Sequence, residues 1–204
     1  MTRNYRFLFG IAILTLTPVS AFLATRSLAQ EETLVGEGFH SGGYGGPVWK
    51  AGLLNGKVGM FSGGRGAWII NRRFAIGGGT YDLITDVESD EASSNGEPLH
   101  IDLEYGGLEM EYIHHSEKLL HWTIHTMLGG GTVSLLEHHP SRTVETDNIF
   151  VVEPSLNMDI NASSWFRIGL GASYPMAMGL DLGGITNSDI NGPSGLIILK
   201  FGSF

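Results

Sequence analysis

The chain has 204 residues with 12 basic and 21 acidic side chains, a formal charge of −9, and no cysteine. The acid excess excludes binding to nucleic acid or anionic membrane surfaces through bulk electrostatics, and the missing cysteine excludes a disulfide framework and a thiol-linked lipid anchor. Thirty glycines spread among β-forming residues, with seven prolines, point to closely approaching strands rather than a disordered linker.

The first element is a leader. Arg3 and Arg6 form a positive n-region, residues 7–16 are an apolar run ended by Pro18, and Ser27-Leu28-Ala29 is a small-x-small cleavage site. The run is shorter than the ~20 residues of a spanning helix, so residues 1–29 are expected to be a cleaved signal peptide and residues 30–204 a single domain. Cleavage removes Arg3, Arg6 and Arg26, leaving nine basic against 21 acidic residues and a formal charge of −12. No later segment reaches the ~18 consecutive apolar residues of a helical span.

Beyond the leader the hydrophobic period changes from helical to two. A polar, glycine-rich lead-in (31–46) precedes strands expected at 46–54, 58–70 and 74–86. In the fourth, 99–114, Leu99, Ile101, Leu103 and Tyr105 oppose His100, Asp102 and Glu104. Past Gly106-Gly107 the phase flips, with Leu108, Met110 and Tyr112 opposing Glu109 and Glu111, as a β-bulge would produce. In the fifth, 119–136, Leu120, Trp122, Ile124, Thr126 and Leu128 alternate with His121, Thr123, His125 and Met127. The sixth, 148–161, sets Phe150, Val152, Pro154, Leu156, Met158 and Ile160 against Val151, Glu153, Ser155, Asn157, Asp159 and Asn161. Pro154 cannot donate to a ladder, so a second bulge is expected there. The seventh, 165–174, alternates Phe166, Ile168 and Leu170 with Arg167, Gly169 and Gly171. The eighth, 195–204, closes on Phe204. Gly202, Lys200, Ile198 and Leu196 fall in phase with it, while Phe201, Leu199 and Ile197 form the cleaner apolar phase; a bulge near Gly202 would reconcile the two.

Eight is even, as a bacterial single-chain barrel requires. Short turns (71–73, 116–118, 161–164) alternate with long polar connections (87–98, 137–147, 175–194), and the Asn-Gly hairpin at 54–57 is the exception to the long series. With the leader, the alternating strands and the aromatic Phe204, the chain resembles the small eight-stranded outer-membrane barrels of the OmpA and OmpX type over its whole mature length. That resemblance implies an all-β, antiparallel up-and-down transmembrane barrel in the outer membrane of a Gram-negative bacterium. It also implies contact with outer-membrane lipid, and insertion by the barrel-assembly machinery through the C-terminal strand ending at Phe204.

If the apolar faces point to lipid, the inward face collects Lys50, Arg65, Arg167, Asp102, Glu104, Glu109, Glu111, Glu153, Asp159, His100, His121 and His125. Eight strands leave room only for side chains, so the interior is expected to be plugged and salt-bridged, with surplus carboxylates met by water, His⁺ or protons. Trp49, Trp68, Trp122 and Trp165 read as interfacial aromatics rather than ligand platforms. His121 and His125 lie ~13 Å apart on a strand, too far for one metal, and His114-His115 and His138-His139 fall near strand ends as solvated residues. Gly77-Gly78-Gly79 and Gly129-Gly130-Gly131 lack the Lys-Ser/Thr of a phosphate loop.

Some barrels of the resembled class modify lipid A with a histidine, a serine and an acid. His121, His125, Ser134, Asp102 and Glu104 are the matching residue types here, but no short nucleophile motif accompanies them. No catalytic, cofactor or metal residues are assigned. The expected role is structural or surface contact through loops 87–98, 137–147 and 175–194. The rival is a soluble exported barrel binding a small ligand, which would carry the opposite polarity on its two faces.

Overall fold

The structure, a computed structural model, describes residues 38–92, 96, 98–137 and 142–204; the expected leader lies outside the described residues. Among the described residues ten strands and one short helix follow in order: β1 Ser41–Leu54, β2 Lys57–Ile70, β3 Phe74–Leu83, β4 Val87–Ala92, β5 Pro98–His114, β6 Leu120–Glu137, β7 Arg142–Asn161, β8 Phe166–Ser173, β9 Met176–Met178, α1 Asn187–Ile190 and β10 Ser194–Ser203. Eight of the strands close an antiparallel ring, β1-β2-β3-β5-β6-β7-β8-β10 and back to β1. Each of the eight expected strands is one member of that ring. The stretch expected to run through residue 86 instead ends at Leu83, and β4 restarts at Val87 as an addition to β5.

Local chemistry sets the hairpins. Asn55 and Gly56 both take positive φ (49° and 70°), the backbone of a two-residue turn whose twist matches its strands. Asn71 and Arg72 (51° and 56°) make the equivalent turn at the opposite end, where the other two short connections also lie.

Neither of the two expected bulges is present, nor is the one that would have reconciled the two phases of the last strand. β5 keeps one register against β6 from His100↔Leu136 to His114↔Trp122, straight through Gly106-Gly107. β10 holds one register against β1 from Ser194↔Gly52 to Ser203↔Gly43, so Gly202 is regular. At Pro154 the missing donor interrupts the neighbouring strand. β8 stops at Ser173, the Tyr174 amide donates to the Pro154 carbonyl at 3.0 Å, and β9 resumes the same register at Val152↔Met176. The one register shift of β7 against β6 falls at Leu135/Leu136.

The flip in hydrophobic phase is therefore a change of surroundings, not of backbone. On β5, odd-numbered residues face inward along the whole strand: Ile113, Glu111 and Glu109 below Gly107, then Tyr105, Leu103, Ile101 and Leu99 above it. Outward residues change from Tyr112, Met110 and Leu108 to Gly106, Glu104 and Asp102. β3, β6 and β7 change at the same level, outward Ile76, Leu128 and Phe150 giving way to Thr80, Thr132 and Asn148. Glycines mark the change, paired Gly66↔Gly78, Gly79↔Gly107 and Gly106↔Gly130 across four adjacent strands. At Gly107 a Cβ would strike the Leu128 carbonyl oxygen, and at Gly79 it would displace the Glu109 carboxylate. Glycine here permits close backbone approach and leaves volume for large inward side chains.

Candidate functional site

Below the glycine level the interior is ionic. Lys50, Arg65, Arg167 and Lys200 face Glu109, Glu111, Glu153 and Asp159, four cations and four carboxylates, all buried. At the short-turn end, Lys200 Nζ bridges Asp159 (2.6 Å) and Glu111 (2.7 Å), and the Tyr44 hydroxyl donates to Glu111 at 2.7 Å. At mid-height, Tyr81 donates to Glu109, whose other oxygen lies 3.9 Å from Arg65 Nε and 3.4 Å from His125 Nε2. Highest, Lys50 Nζ bonds both Glu153 oxygens at 2.8 Å, lies 3.2 Å from the centre of the Tyr81 ring, and leaves Glu153 to accept a further bond from Tyr105 at 3.0 Å. Ion pairs and tyrosine hydroxyls together offset the desolvation that would make any one of these charges untenable alone.

Above this network the interior turns apolar. Leu99, Ile101, Leu103, Val133, Leu135, Ile149 and Val151 are buried. The segment 174–193 folds over them as a lid, burying Ala177, Leu180, Leu182, Ile185 and Ile190. Polar bonds hold it in place: the Asn191 side chain accepts from the Ala177 amide (2.6 Å), Asp147 from Asp181 (2.8 Å), and Asp189 O from Asn55 N (2.5 Å). The long connection expected as a free surface loop is thus a cap closing the mouth, because five of its side chains are too apolar to leave in water.

Sequence reading placed Lys50, Arg65, Glu109, Glu111, His121, His125, Glu153, Asp159 and Arg167 inside, and each is there. It also placed Asp102, Glu104 and His100 inside. Asp102 and Glu104 are exposed on the outer wall and His100 shares their outward face, because the inward positions of β5 above Gly107 belong to Leu99, Ile101, Leu103 and Tyr105. With them outside, the expected surplus of interior carboxylates disappears. Lys200 was missed because it shares the phase of Phe204, which itself faces the interior mouth rather than lipid; its phase opposite Phe201 was the available signal. Tyr44, Tyr81 and Tyr105 were missed as carboxylate partners, since nothing local distinguishes an inward tyrosine from a girdle one.

The residues drawn into a catalytic triad do not meet. His121 and His125 face inward, whereas Asp102 and Glu104 face outward, and the Ser134 hydroxyl, on the outward phase of β6, bonds Thr146 at 3.0 Å. The barrel wall separates base from acid and hydroxyl. His121 Nδ1 donates to the Lys118 carbonyl (3.2 Å) and His125 Nδ1 sits 3.0 Å from Ser155 Oγ, so each histidine has its own partners. His138 and His139 lie outside the described residues.

The outer wall carries Trp68, Trp122 and Trp165 near the short turns and Trp49 higher, all exposed. Phe201 stacks between Phe166 (4.9 Å) and Trp165 (6.1 Å) in that outer band. Phe204 instead faces the interior mouth, stacked on Tyr44 at 6.3 Å and lying 3.8 Å from the Arg167 guanidinium. Glu117, in the turn beside this mouth, is exposed; its own amide and the His115 ring, 3.0 Å away, hold its carboxyl below the usual carboxylate range.

The fold is similar to the crystal structure of Neisserial surface protein A (NspA), with a TM-score of 0.53 and 12% identity over 82% of this chain and 99% of that one. It is also similar to Ail, the attachment invasion locus protein of Yersinia pestis, crystallised with the heparin analogue sucrose octasulfate: TM-score 0.50, 11% identity, 79% and 97% coverage. No family model and no curated protein matches the sequence.

Proposed function

From the eight-stranded outer-membrane β-barrel fold that this chain adopts, we infer that it is an integral outer-membrane protein of a Gram-negative bacterium, closed to solutes, with a structural or surface-contact role. The observation that carries this is the exchange of polarity along the wall. From Leu120 to Leu128, β6 presents apolar residues outward over nine positions, and β7 does so from Phe150 to Ile160 over eleven. A tilted transmembrane strand needs ~9–11 residues. Charged and polar side chains fill the interior at that height, the reverse of a soluble ligand-binding barrel. Beyond the glycine level β3 and β5 carry water-facing Asp82, Asp102 and Glu104 outside, and the interior is an apolar core, as in a soluble domain.

The surface offered to the exterior is thus the tall wall of β4, β5, β6 and β7 rather than the capped 175–194 segment. A contact partner through this wall, contact with outer-membrane lipid along the apolar belt, and delivery by the barrel-assembly machinery through β10 all belong to this reading. No catalytic residue does. In β10 the lipid-facing aromatic is Phe201, so recognition of that strand falls on Phe201, Leu199 and Ile197 rather than on Phe204.

The test is fractionation of cells expressing the full chain, with boiled and unboiled electrophoresis of the membrane fraction. Recovery in the outer membrane with a heat-dependent mobility shift is expected. Soluble periplasmic protein without a shift would overturn the reading.

A further inference from the structure

The interior charges balance four to four, yet they do not pair one to one. Lys200 takes both Asp159 and Glu111, Lys50 takes Glu153, and Arg65 faces Glu109. Among the described residues Arg167 has no carboxylate within ion-pair distance. It is nonetheless only 6% exposed. A single hydrogen bond engages it, from Nη2 to the Ser116 carbonyl at 3.3 Å, while Nε has no partner and the Phe204 ring covers one face. A buried guanidinium with a free donor edge is costly unless an anion meets it.

Arg167 lines a recess of about 330 Å³ at the short-turn mouth, to which all three short turns contribute. Arg72 comes from the β2–β3 turn, Ser116 and Glu117 from the β5–β6 turn, and Ser163 and Ser164 from the β7–β8 turn. Arg72 is exposed and adds a second guanidinium at the rim. Ser163 Oγ accepts the Trp165 amide at 3.3 Å, which leaves its hydroxyl hydrogen to donate. Glu117 is the one acid in the lining, and it is engaged by His115.

We propose that this recess binds a single oxyanion, a phosphate or a carboxylate, approaching from the periplasmic side. Arg167 is the buried anchor, its planar fork matched to two oxygens of the anion, and Arg72 is the rim charge that draws the anion in. The shared chemistry admits a free anion or the phosphate of a lipid headgroup, and the site closes the lower mouth of the lumen as the apolar lid closes the upper.

The full chain, refolded in detergent micelles and verified by its heat-dependent mobility, is titrated at constant ionic strength with inorganic phosphate, with acetate and with chloride. Amide resonances of residues 116–117 and 161–167 are followed. Saturable shifts with phosphate or acetate and none with chloride are expected. Arg72→Gln weakens binding by about fivefold and Arg167→Lys, which keeps the charge but loses the fork, by about tenfold. Arg72 lies in an exposed turn, so its variant reads the site even if substitution at Arg167 prevents folding. In phospholipid nanodiscs a persisting response identifies a free anion, whereas resonances already at their phosphate-bound positions identify a headgroup. Absence of saturable shifts with both anions, or affinities unchanged in Arg72→Gln and Arg167→Lys, overturns the proposal. The mobility shift stands in either case, so failure here is separate from failure of the membrane reading.

Discussion

Lys200 holds two carboxylates from two other strands, with the Tyr44 ring 4.9 Å away. Replacing it with methionine leaves Glu111 and Asp159 buried without a cation. Removing one member of a buried pair typically costs about 3–5 kcal/mol, and that loss is expected for Lys200→Met in urea unfolding of the micelle-bound barrel. Adding Glu111→Gln and Asp159→Asn to the same chain should recover most of it, because the uncompensated charge and not the lost contact carries the penalty. A Lys200→Met variant within about 1 kcal/mol of the parent would mean that water already serves these carboxylates. Most charged residues of this network, Lys200 excepted, were readable from alternation. Their partners were not: Lys200 and Glu111 are 89 positions apart, and only closure of the ring sets them side by side.

The elements show why glycine is abundant without being interchangeable. Gly107 approaches the β6 backbone so closely that a Cβ would meet Leu128 O, whereas a Cβ on Gly195 would meet nothing within 4 Å. Gly107→Ala is therefore expected to lose several kcal/mol or fail to refold. Gly195→Ala should be neutral or gain about 0.5–1 kcal/mol from the reduced freedom of the unfolded chain. Refolding yield and unfolding midpoints of the two variants check this, and equal effects would contradict the close-approach role. Element boundaries were legible to within a few residues for most strands, because each strand's period-two pattern ends at a turn residue. The bulge expected at Gly106-Gly107 failed because residue chemistry changes there without a change of backbone phase, the strand passing from a lipid-facing to a water-facing level, and the one expected at Pro154 because the missing donor interrupts the neighbouring strand instead.

The whole molecule is closed twice, by ion pairs in the lower interior and by the apolar lid above. Replacing 176–192 with a short Gly-Ser link should leave a heat-modifiable barrel that still conducts no ions in planar bilayers, since Lys50, Arg65, Lys200 and their carboxylates remain across the lumen. Appearance of conductance on lid removal would make the lid the true barrier. The sequence by itself determined the β class, the eight-strand ring and most of the charges destined for the interior, because alternation and turn residues are local signals. It could not decide at what height along a strand the outward face turns from apolar to polar, since the period of two is the same on either side of that exchange. The tertiary structure decided that: it set Asp102 and Glu104 on the outer wall, folded 174–193 into the mouth, and left Arg167 buried without a carboxylate, each by bringing distant segments to one height in a closed ring.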